Sequence, residues 1–236
     1  MSFTVVQPEA NARGTILKPR ANKKFVDCAE VKPKRGESPY WWSEVRKVET
    51  DQPLPELYKT LQKIEQNNSD HVIVAEHVHT YEGAQKWFRL QAGPYLEKDI
   101  QRNWIQLDFD HGPTGCNSLP LSQRLDVALA GLPLAFSSCE CVAQLSSKAF
   151  LGSYPDYMGL RVYFALKTPY TNAQLRQMLK GLPFVDTSIF SNARRHYTSV
   201  LDEGDTIRNQ VGPTIEYRLG RKLDLQELEQ DKSYVA

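Results

Sequence analysis

Three carboxylates are the residues in this chain best placed by type and spacing to do chemistry. Asp108-Phe109-Asp110 closes the run Asn103-Trp104-Ile105-Gln106-Leu107, and Asp186 follows Phe184-Val185. Apolar and polar residues alternate from Asn103 to His111, which is the pattern of a strand, and residues two apart in a strand share a face. The spacing therefore predicts Asp108 and Asp110 side by side. Like charges so placed raise each other's pKa unless a cation neutralises them, and Mg2+ and Mn2+ prefer oxygen ligands of this kind. Asp-x-Asp is common by composition alone, and many examples cap turns. Here the pair ends a strand and faces the loop opened by Gly112-Pro113, which is unlike a cap. A third carboxylate completes a site for two metals about 3.5–4 Å apart, the arrangement of in-line phosphoryl transfer. Asp186 is the candidate, presented by the short apolar segment before it.

The elements that must position these groups can be read from periodicity. Leu57, Leu61 and Ile64 have helical spacing within Leu54 to Gln66, and Asn67-Asn68-Ser69-Asp70 stops that helix. Strands are expected at His71 to Ala75, Lys86 to Leu90, Asn103 to His111, Gln144 to Ser147 and Leu160 to Leu166. Shorter segments fall at Phe184 to Asp186 and His196 to Val200. Ser122 to Leu132 reads as a helix. So does Thr171 to Gly181, with Thr171 or Asn172 as its cap and Gly181 as its stop. A Gly, Tyr, Pro and Asp loop spans 152 to 159, and an acidic helix runs from Asp224 to Asp231. Mixed strands and helices joined by short turns predict an α/β or α+β fold.

Composition bounds the rest. The chain has 236 residues, 41% hydrophobic and 10% aromatic, enough to bury a core, so global disorder is excluded. The longest uncharged apolar stretch, Val127 to Cys139, is interrupted by Gly131, Pro133 and two serines. A membrane span needs about 20 apolar residues, so no membrane partner is expected. The N-terminus lacks the charged start and apolar block of a secretory signal. Cys28, Cys116, Cys139 and Cys141 read as reduced thiols of a cytoplasmic protein, and the lone Cys-x-Cys pair makes no zinc site without two more ligands.

The net charge of +1 conceals an uneven distribution. Residues 1–35 hold eight basic residues against three acidic ones, a local +5. Residues 1–36 therefore read as a basic, loosely ordered arm, either merely solvated or in contact with nucleic acid, and 37–236 as the core. Within the arm, Lys23, Lys24, Lys34 and Arg35 are the candidates for DNA contact.

The order of segments then carries a resemblance. Asp108-Phe109-Asp110, Gln144-Leu145-Ser146-Ser147, Gly159-Leu160-Arg161-Val162-Tyr163-Phe164, Val185-Asp186 and Arg195-His196-Tyr197-Thr198 follow one another. This resembles the catalytic core of the archaeo-eukaryotic primase (primase-polymerase) superfamily, particularly the branch found in bacteriophage and plasmid replication proteins. The likeness covers roughly residues 70 to 215 and rests on order and spacing together. It implies an N-terminal α/β module packed on a sheet similar to an RNA-recognition motif, with Asp108, Asp110 and Asp186 as ligands of Mg2+ or Mn2+. It also implies nucleotide contacts at Ser146, Ser147, Lys148 and Arg161, with Arg195 and His196 near the same site. Arg161 is a departure, because the family carries histidine there. A guanidinium can clamp triphosphate oxygens bidentately, but it cannot shuttle a proton.

The activity implied is a template-directed nucleotidyltransferase, a DNA primase or DNA polymerase. Its partners would be a single-stranded template, a primer and dNTP or NTP, with a helicase in the same polypeptide or a separate subunit. A gate against the 2′-hydroxyl could be Tyr154, Tyr157 or Tyr163. Two alternatives stand beside this reading. One is a non-catalytic single-strand or origin-binding module on a degenerate primase fold. The other is a nuclease using the same carboxylates.

Overall fold

The computed structural model describes residues 2–8, 42–49, 51–67, 71–73, 101–146, 149, 156–182, 185–186, 189–190, 195–196 and 212–230. They form a mixed α/β arrangement with two four-stranded sheets. In the first sheet, β1 (Ser2–Pro8) pairs antiparallel with both β2 (Trp42–Glu49) and β3 (His71–Ile73), and β3 pairs with β7 (Arg195–His196). This corrects the expectation of a loosely ordered arm from its first residues. Phe3-Thr4-Val5-Val6 is a strand-forming segment, and the basic composition further along masks it. Lys23, Lys24, Lys34 and Arg35 lie outside the described residues, as does the segment expected at 86–90.

The second sheet carries the carboxylates and has the order β4-β6-β5-β8, all neighbours antiparallel. Its strands are β4 (Arg102–His111), β5 (Cys141–Leu145), β6 (Tyr157–Tyr170) and β8 (Ile215–Arg218). Because β4 and β5 both run antiparallel to β6 between them, they are parallel to each other. The helix α2 (Leu121–Ala130) connects them, making a split β-α-β unit. After β6 comes α3 (Asn172–Met178), and the chain then returns to the outer edge of β4, where Val185 forms a single antiparallel bridge with Phe109.

Alternation along the strands sorts side chains onto two faces. Ile105, Leu107 and Phe109 of β4 join Cys141, Ala143 and Leu145 of β5 and Leu160, Val162 and Phe164 of β6 in one buried cluster. Helices α2 and α3 cover that cluster through Leu121, Leu125, Ala128, Leu175 and Leu179. The opposite face is covered at one end by α1 (Pro53–Asn67), whose Leu54, Leu57 and Leu61 pack against Trp104, Val142, Tyr163, Ala165 and Ile215. Each such leucine contributes on the order of 2 kcal/mol of burial. Proline occupies the first position of α1, where its missing N–H leaves no intrahelical bond unmade. Thr171, one of the two expected caps, is the N-cap of α3 and forms a reciprocal capping box with Gln174. Gly181 follows in the left-handed conformation. The acidic C-terminal helix, α4 (Gln226–Gln230), is shorter than expected, and Asp224 accepts a hydrogen bond from the Gln226 amide at its start.

Among the described residues, no helix is long and apolar enough to cross a membrane.

Candidate functional site

The part of this second face that lies beyond α1 forms the site, and strand register fixes its rows. Nearest α1, Gln106, Tyr163 and Val142 lie abreast on β4, β6 and β5. The next row is Asp108, Arg161 and Gln144. Beyond it come Asp110 and the Gly159–Ser146 pairing, where the Ser146 amide donates to the Gly159 carbonyl at 2.7 Å. The face thus grades from apolar beneath α1 to charged in the space of two rows.

Asp108 faces Arg161 directly across the strand pair, with the guanidinium Nε 3.7 Å from Oδ1 and side-chain exposures of 11% for Arg161 and 18% for Asp108. Asp186 reaches the row from the other side. Its amide donates to the Asp108 carbonyl at 3.0 Å, continuing the step that begins with the Val185 bridge. Asp108, Asp110 and Asp186 are therefore brought to one corner of the sheet by two segments distant in sequence. Among the described residues, no three His, Cys, Asp or Glu side chains converge closely enough to hold a metal ion.

Tyr157 stands beside this corner, its hydroxyl donating to Asp110 Oδ1 at 3.5 Å. Burial, reinforced by the charges of Asp110 and Asp108, pushes its phenol up to about 12, while the Ser146 hydroxyl and Arg161 oppose the shift. His111 packs edge-on against the Tyr157 ring and meets Asp156 at 3.2 Å. Tyr163 is completely buried in the cluster under α1, which removes it as a gate against a ribose hydroxyl. Tyr154 lies outside the described residues.

Gly159 holds the corner together. Its φ of +55° is left-handed, and a Cβ there would come within 2.7 Å of the Ala149 Cα and 2.9 Å of both Ser146 Oγ and the Tyr157 ring. Only glycine allows Ala149, Ser146 and the Tyr157 ring to lie this close to the backbone at position 159. The register between β4 and β6 shifts at the same place, between Phe109 and His111, so Gly159 marks a β-bulge inside the strand rather than the end of a loop.

Sequence reasoning missed three groups. Gln106 and Gln144 are 3% and 0% exposed, and both amide atoms of each have no hydrogen-bond partner among the described residues. The Tyr163 hydroxyl is in the same condition. Period-2 alternation places Gln106 on the carboxylate face, so a glutamine two residues before Asp108 was the available signal. Arg124 is the third. It is wholly buried in α2, where Nε donates to Leu119 O at 2.8 Å and Nη1 to Ala149 O and Met158 O at 2.8 and 2.5 Å. Nη2 donates to the Asn117 carbonyl. It thereby ties together the base of the segment between Ser146 and Gly159, and burial pulls its pKa down to about 10.

Of the remaining expected site residues, Ser147 and Lys148 lie outside the described residues. Arg195 and His196 form β7 in the other sheet, where their backbones pair with Ile73 and Val72. Cys139 and Cys141 belong to the helix-covered cluster, and burial raises their thiols to about 11 and about 12.

No protein-family model, no curated protein and no solved structure matches the chain.

Proposed function

We propose that the chain is a template-directed nucleotidyltransferase, a DNA primase or DNA-directed polymerase that makes or extends primers in the replication of a phage, plasmid or other mobile element. The observation that carries this reading is the corner itself. Asp108 and Asp110 share one face of β4, Asp186 is bonded to Asp108 through its amide, and Arg161 stands directly across. Strand order supports it as well. With Val185 counted as a strand reduced to one bridge, the order Val185, β4, β6, β5 follows the connectivity of an RNA-recognition-motif sheet, and β8 is an addition at the far edge.

The donors are all carboxylates, and their hard oxygens suit Mg2+ or Mn2+. Two such ions, when bound, lower the pKa of a primer 3′-hydroxyl and neutralise charge on departing pyrophosphate. The chain's own residues supply position and charge. Arg161 offers two parallel N–H donors to triphosphate oxygens. Ser146, held close by Gly159, offers a hydroxyl beside it. Lys148 and the arm residues Lys23, Lys24, Lys34 and Arg35 extend the reading toward the triphosphate and the template.

Primer extension on a labelled single-stranded template with nucleotides and Mn2+ tests this. Product is expected from the native chain and none from Asp108→Ala, and elongation by that variant would sink the metal assignment. A second reading, a single-strand or origin-binding module without chemistry, is favoured by one observation: Arg161 stands where the family has histidine and is paired with a proposed ligand. A mobility shift without product in the same assay would favour that module.

A further inference from the structure

We propose that Arg161 is an internal counter-ion that keeps the carboxylate corner from loading metal until a nucleoside triphosphate arrives. The inference rests on the nucleotidyltransferase reading and adds an order of events to it. Asp108 and Arg161 are directly opposed across β4 and β6, with Nε 3.7 Å from Oδ1 and both side chains largely withdrawn from water. In such surroundings a positive charge beside Asp108 offsets the carboxylate's negative potential far more than it would at an exposed position. A dication approaching Asp108 then meets a guanidinium.

The same guanidinium is a natural partner of a triphosphate, whose oxygens match its planar fork. A bound nucleotide draws Arg161 away from Asp108 and brings its own negative charge. Both changes raise the attraction of the corner for Mg2+ or Mn2+. Metal and nucleotide are thereby coupled positively, and the coupling is reciprocal. Gln144, next to Arg161 on the side away from Asp108, has an unpartnered, fully buried amide, a polar neighbour for the guanidinium when it shifts. Histidine at this place would be a weaker cation at neutral pH, so the coupling follows from the arginine in particular.

Mn2+ binding to the full chain, followed by the electron paramagnetic resonance of free Mn2+, tests the proposal without any turnover. The measurements are made with and without a non-hydrolysable nucleoside triphosphate, corrected for Mn2+ held by the nucleotide alone. The native chain is expected to bind Mn2+ weakly alone and about tenfold more tightly with the nucleotide. Arg161→Gln is expected to bind Mn2+ about tenfold more tightly than the native chain without nucleotide, and to gain little when it is added. Arg161→Lys keeps the charge and should bind as weakly as the native chain, so a change common to both variants would mark a structural disturbance and overturn the proposal. Unchanged Mn2+ affinity in Arg161→Gln overturns it too, while Mn2+ binding that Asp108→Asn removes leaves the metal reading standing. Mn2+ binding indifferent to Asp108→Asn overturns both.

Discussion

The two faces of the second sheet bury polar groups to the same depth and treat them in opposite ways. On the helix-covered face, Arg124 is wholly buried and spends its donors on the carbonyls of Leu119, Ala149, Met158 and Asn117. On the carboxylate face, Gln106, Gln144 and the Tyr163 hydroxyl are just as buried and have no partner among the described residues. An unmade buried hydrogen bond costs about 1–3 kcal/mol, so folding alone does not account for the second set. The difference separates a polar group kept for structure from polar groups without a structural partner among the described residues. Of the latter, Gln144 shares the row of Asp108 and Arg161, while Gln106 and Tyr163 lie in the row beside it.

The sharpest way to break this contrast is on the helix-covered face. Arg124→Met strands four carbonyls that now accept from one guanidinium, and urea denaturation should show a loss of about 3–5 kcal/mol. A loss below about 1 kcal/mol would mean that water reaches those carbonyls and that the two faces are not so different.

Alkaline pH probes the same face more gently. Cys139 and Cys141 hold their protons to about 11 and about 12, well above the ordinary thiol value of 9.0, because burial penalises the thiolate. A group whose folded pKa is raised contributes stability that is present below its unfolded pKa and lost as pH climbs toward the folded one. Stability should therefore be flat to about pH 8 and fall by about 1 kcal/mol per thiol by pH 10. Tyr157 on the carboxylate face, at about 12, stays protonated throughout that range. Cys141→Ala should flatten the decline, and a decline of unchanged slope would place its origin elsewhere.

On the carboxylate face the expected sign reverses. Gln144→Leu removes two unpartnered amide atoms and should raise stability by about 1 kcal/mol. The same change should weaken nucleoside triphosphate binding, measured by calorimetry with Mn2+ present. Destabilisation by this substitution would show that Gln144 is a structural residue after all.

How legible the molecule was in its sequence depended on local pattern. The helix over α1 and the strands β4 and β6 were readable, because leucine spacing and alternation survive in the sequence itself. Cys141–Leu145 was expected three residues too late, since a strand buried on both faces has no alternation to mark its start. Tyr157 to Gly159 read as loop because a glycine in a bulge carries the same signal as a glycine in a turn. The strands β2 and β8 were missed, and β8 is only four residues long. At the site, the shared face of Asp108 and Asp110 follows from period 2, while the amide bond of Asp186 to the Asp108 carbonyl joins segments distant in sequence. Arg161 opposite Asp108 was not legible, because the register between strands 53 positions apart is settled by the bulge at Gly159 and by packing, not by either strand alone.

The attachment of Asp186 has a consequence for how the molecule could change over time. The strands β4, β6 and β5 are tied by long ladders, whereas among the described residues the backbone at 185–186 meets β4 through one bridge at Val185 and one amide bond to the Asp108 carbonyl. Val185, Ile189 and Phe190 pack on the helix-covered cluster, so this segment is held by side-chain burial as well as by those backbone bonds. A lineage that altered residues around 185–186 would change the carboxylate at 186 and the packing of the sheet's edge together, while β4, β6 and β5 kept their ladders.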